Sequence, residues 1–149
     1  MDFSQLIPTE ELERDAESGP LRDMATEAAE YLSSFAWCKS ILHSWLGWGV
    51  EGVCGVFLVE LEPGAPEVDR WLWVIVGDLP PAYLVIDDSP TPLDALRNYV
   101  DLIDEWVTNV RDGKSLDECI PVDAPPTAGD AEALRVRIDF LRSNILTES

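Results

Sequence analysis

Basic residues are scarce in this 149-residue chain: 10 Lys and Arg stand against 29 Asp and Glu, for a formal net charge of -19. Nucleic acid and anionic membrane surfaces are bound by neutralising phosphates with Lys and Arg, so this composition argues against both as partners. It favours a basic protein instead. Histidine occurs once, at His43, which excludes any site needing two imidazoles. Three cysteines, Cys38, Cys54 and Cys119, lie far apart with no CxxC spacing. An odd count among apolar neighbours such as Trp37 and Val53 reads as reduced thiols in a reducing compartment. No apolar run approaches the roughly 18 residues of a membrane span, and the start, MDFSQLIPTEELERD, lacks the basic and apolar regions of a signal peptide. The expected location is the cytoplasm. No repeat or low-complexity tract occurs, and the length suits a single domain over residues 1–149.

What is present is strongly patterned. Trp71–Val76 and Ala82–Ile86 are β-branched and aromatic runs joined by Gly-Asp-Leu-Pro-Pro, which predicts a hairpin with a loop longer than two residues. All six residues of the first run are apolar, so that strand is expected at the centre of a sheet with both faces covered. Val53–Leu61 predicts another strand, with Phe57, Val59 and Leu61 on one side and Leu58, Glu60 and Glu62 on the other. The three form an antiparallel meander.

Helices are expected around them. Leu21, Met24, Ala25, Ala28, Leu32 and Phe35 recur at helical spacing after Pro20, with Asp23, Glu27 and Glu30 off that face. Trp37, Ile41 and Trp45 at spacings of four extend the helical reading past Ser33-Ser34, on a rotated face. Gly47, Gly49, Gly52 and Gly55 then read as a flexible passage from helix to strand; their spacing fails both phosphate-cradling glycine motifs. Thr91-Pro92-Leu93-Asp94 starts a helix with Leu93, Leu96, Val100, Ile103, Val107 and Val110 inward, stopped at Asp112-Gly113. Thr127 and Asp130 start the last helix, with Leu134, Ile138, Leu141 and Ile145 inward. The predicted class is α+β: a three- to four-stranded antiparallel sheet packed with a long N-terminal helix and two C-terminal helices. Leu32, Phe57, Trp73, Ile75, Leu84, Ile103 and Leu141 are the expected core. Residues 1–19 form a peripheral acidic segment, expected to bury little area.

The residues that could carry chemistry are dispersed. Cys38 and His43 lie about 140° apart on an ideal helix, which argues against a thiol–imidazole pair. Asp78 falls at one end of the predicted hairpin and Asp87-Asp88 at the other, where Ser89-Pro90 breaks the strand. Tyr83 with Pro80 and Pro81 suggests a small aromatic–proline surface. A hydrolase or metal-dependent enzyme would have to draw on His43, Asp78, Asp87 and Asp88. The other reading is a non-catalytic protein-binding module. In it, Glu10, Glu11 and Glu13 steer a basic partner electrostatically, and exposed members of Trp37, Ile41, Trp45 and Trp48 form the desolvated contact. No cofactor or metal is implied, and a homo-oligomer is left open.

The block WLWVIVGDLPPAYLVIDDSPTPLDAL, followed by an IPV segment and ALRVRIDFLRSNIL, resembles a family of small acidic bacterial proteins of unknown function. The resemblance runs through most of the chain from Trp37 onward. It implies a cytosolic bacterial protein and carries over no catalytic residue or ligand. By analogy, small acidic single-domain proteins include immunity proteins that mask a toxin and mimics of nucleic-acid charge.

Overall fold

A computed structural model of the chain describes residues 6–14, 19–51, 53–122 and 125–146, except the side chains of Glu13 and Arg14. It has two compact units, Met1–Ala95 and Leu96–Ser149. The fold is α+β. In chain order its elements are β1 (Ile7–Pro8), α1 (Thr9–Arg14), α2 (Gly19–Ser33), β2 (Cys38–Val50), β3 (Cys54–Pro63), β4 (Trp71–Gly77), β5 (Ala82–Val85), a 3₁₀ turn (Ile86–Asp88), α3 (Pro92–Asp112) and α4 (Ala128–Asn144).

The first unit is built on a five-stranded antiparallel sheet in the order β1-β2-β3-β4-β5. It is the expected meander with two further strands on the N-terminal side. The β4 run is buried from Leu72 to Val76, and β3 from Cys54 to Val59. Fully apolar strands need cover on both faces, and these two have it. One face takes Phe57, Val59, Leu61, Leu72, Val74 and Val76 into a core with Leu12, Met24, Ala28 and Leu32. On the other, Val56, Leu58, Trp73 and Ile75 are each fully buried. Trp73 keeps its indole N–H satisfied there by donating to the Ser89 carbonyl at 2.7 Å.

Three expectations change. The stretch from Cys38 to Val50 is a strand, not a helical continuation. Its Gly-rich end forms a hairpin with β3, in which Val53 donates back to Val50 at 3.0 Å. Leu84 is only half-buried because β5 is an edge strand. And part of the opening segment is built into the fold: Ile7–Pro8 pair with Leu46 and Trp45, and Leu12 is 4% exposed within the core. Asp15, Glu17 and Ser18 lie outside the described residues.

Gly77 closes the platform. Its φ is +136°, and a Cβ there would lie 2.5 Å from the Val53 carbonyl oxygen and 2.6 Å from Cys54 Cα. No side chain fits that approach.

The second unit holds most of α3, and α4. Thr91 Oγ1 accepts from the Asp94 N–H at 3.1 Å, and Thr127 caps α4 through the Asp130 N–H at 3.2 Å. Gly113 ends α3 at a φ of +67°. Asp104 joins the two helices, accepting from Arg135 at 3.1 Å and Arg142 at 2.9 Å. Burial pushes its carboxyl upward, but the bonds and charges of Arg142 and then Arg135 outweigh that and hold it below the usual carboxylate range.

Candidate protein-binding site

The expected tryptophan surface divides. Three irregularities in the β2–β3 register, between Cys38/Ser40, Ile41/His43 and Leu46/Trp48, rotate the side chains of β2. Ile41 pairs with Leu61 and packs on the core beneath α2, as does Trp37. His43 pairs with Glu60, and Trp45 with Leu58, on the opposite face. Trp48 pairs with Val56 and is half-buried. Glu10 and Glu11 are exposed in the first turn of α1; the side chain of Glu13 lies outside the described residues.

Each face carries its own aromatic cluster. On the α2 face, the helix ends at Ser33 and the chain reverses through Phe35–Cys38, with Phe35 donating to Leu32 at 3.1 Å and Cys38 to Phe35 at 3.1 Å. The Gly64 N–H holds the Trp37 carbonyl at 2.8 Å. This turn stacks Phe35 on Trp37, with ring centroids 4.9 Å apart, and brings both against Tyr83 of β5 at 5.5 and 5.0 Å. Tyr31, one turn earlier on α2, meets Phe35 edge-on at 5.2 Å and Tyr83 at 6.4 Å. The rings remain partly open: Tyr83 is 38% exposed, and Tyr31, Phe35 and Trp37 are half-buried. Burial, and then neighbouring Tyr83, push the Tyr31 hydroxyl up to about 12.

Carboxylates border this cluster. Glu27 lies one helical turn before Tyr31, and its carboxyl is raised by partial burial and by the charge of Glu30. Among the described residues, no Lys or Arg pairs with Glu27 or Glu30.

The other cluster is neutralised from within. Trp45 stacks on Trp71 at 5.7 Å, and His43 tilts over Trp45 at 5.9 Å. Glu60 accepts from His43 Nδ1 at 2.9 Å and faces Arg70 Nη1 at 3.9 Å. Lys39 sits 3.6 Å from Glu62.

The enzyme candidates do not converge. Strands β3 and β4 separate His43 on β2 from the Asp87–Asp88 turn after β5, a span of three strand spacings or about 14 Å. Asp78 lies at the other end of the β4–β5 hairpin. The structure brings Glu60 to His43, not an aspartate. Among the described residues, no group of three or more His, Cys, Asp or Glu side chains is placed to hold a metal ion. Cys38, Cys54 and Cys119 are free thiols. Burial pushes Cys54 up to about 12, far from a reactive thiolate. No helix among the described residues is long and apolar enough to cross a membrane.

Sequence reasoning singled out Trp37 and noticed Tyr83, but missed Tyr31 and assigned Phe35 to the helix core. The available signal was the Tyr31–Phe35 spacing of four, which places two aromatics on one helical stripe at its end. No protein-family model matches the chain, and no curated protein or solved structure matches it.

Proposed function

We propose that the chain is a non-catalytic protein-binding module that holds and masks a basic protein, in the manner of an inhibitor or immunity-type protein. One observation carries this reading: a partly open cluster of four aromatic rings, Tyr31, Phe35, Trp37 and Tyr83, bordered by Glu27 and Glu30, with which no Lys or Arg pairs among the described residues. Aromatic faces attract Lys and Arg through the ring quadrupole, contributing about 0.5–2 kcal/mol per contact according to desolvation. Nearby carboxylates add attraction, and the net charge of -19 accelerates encounter with a cationic surface.

The test is capture at low salt from the lysate of the source cell, followed by kinetics on the recovered protein. The expected partner is basic, associates more slowly as salt rises, and dissociates faster from Tyr83→Ala. Capture of no basic protein, or of one indifferent to both salt and Tyr83→Ala, would overturn the reading.

A further inference from the structure

The geometry points to the form in which the partner arrives: an extended segment carrying Lys or Arg, which pairs with β5 and continues the sheet as a sixth strand. This rests on the reading above and adds the mode of recognition to it.

Strand β5 is the last in the sheet and pairs with β4 alone, through Val85, Leu84, Tyr83 and Ala82. A strand with one neighbour turns half of its backbone N–H and C=O groups outward. Among the described residues, Ala82–Val85 make no backbone hydrogen bond beyond that ladder. None of the four is proline, so every outward N–H is a usable donor. The opposite edge differs: β1 has two residues, and one is Pro8, which lacks the donor.

Side chains on β5 suit an incoming strand. Tyr83 and Val85, two residues apart on one face, are 38% and 36% exposed, and Tyr83 leans on the Phe35–Trp37 stack. A strand added beside β5 would lay alternate side chains along this aromatic shelf.

Charge selects the occupant. Between Arg70 and Arg97 the sequence has no Lys or Arg. Asp78 before β5 and Asp87 and Asp88 after it are exposed, and Glu27 and Glu30 stand on α2. A second copy of this chain would bring another -19 to the same edge, so self-pairing is opposed by repulsion. A cationic segment has the complementary sign.

The probe is a synthetic peptide of alternating Lys and Val, compared with the same peptide N-methylated at every residue, which keeps the charge and removes the backbone donors. Binding to the full chain is measured at low salt, with amide exchange followed residue by residue. The unmethylated peptide is expected to bind at least about tenfold more tightly and to slow exchange in Ala82–Val85 by a similar factor. Equal binding of both peptides, with β5 exchange unchanged, would overturn strand addition while leaving a basic partner in place. Failure of both peptides to bind would overturn both.

Discussion

The two faces of the sheet carry the same kinds of residue and put them to different uses. On one face, Trp45 and Trp71 stack beside a carboxylate that His43 and Arg70 already engage. On the other, Tyr31, Phe35, Trp37 and Tyr83 meet beside Glu27 and Glu30, which have no Lys or Arg partner among the described residues. An aromatic surface whose charges are satisfied internally has little left for a partner. One whose carboxylates lack a counter-charge attracts cations. Composition alone does not separate the two faces; the placement of three bases, Lys39, His43 and Arg70, does.

The largest effect is expected where both faces depend on one residue. Gly77→Ala forces a side chain into a positive-φ position against the Val53 carbonyl, and should lower stability by about 3 kcal/mol or more, measured by urea unfolding. Retention of the wild-type midpoint would contradict the close approach at the β3–β4 end.

Tyr83→Ala and Trp45→Ala separate the faces directly. With the basic partner or the Lys-Val peptide, Tyr83→Ala should raise the dissociation rate about tenfold, whereas Trp45→Ala should stay within about twofold. The reverse ranking would move the site to the His43 face. A smaller change is expected from Glu27→Gln combined with Glu30→Gln: affinity should fall about threefold at low salt and little at high salt, because exposed charges are screened over about 8–10 Å. Glu60→Gln should leave binding unchanged.

The smallest effect is a titration. Tyr31 is raised to about 12 in the folded chain, against about 10 when unfolded. The folded state therefore keeps the proton longer, so the associated stability is fully present below pH ~10 and is lost as pH rises towards the folded value. Phenolate absorbance should show Tyr31 ionising late, and Tyr83→Phe should bring that ionisation earlier by removing the second cause.

Much of the fold was legible because its signals are local. Thr91, Thr127 and Gly113 mark helix ends by backbone chemistry, and the unbroken apolar run of β4 demands cover on both faces. The β2 strand was not legible, for a physical reason. Trp37, Ile41 and Trp45 lie four apart, a spacing that fits a helical face and an alternating strand alike. Three bulges then break the alternation that would have decided the matter. The irregularity between Ile41 and His43 places Ile41 and Trp45 on opposite faces, so the expected tryptophan surface could not form as one patch. Trp37 was legible as a candidate. Tyr83 was noticed on its own, but Tyr31 and the meeting of the three rings were not legible, since α2 and β5 meet only through the tertiary fold.

The most direct test follows the six tryptophan indole N–H signals by NMR while the Lys-Val peptide is added at low salt. The account predicts that the Trp37 signal shifts progressively with the β5 amides, while those of Trp45 and Trp71 stay in place. A shift of Trp45 and Trp71 with Trp37 unmoved would contradict it.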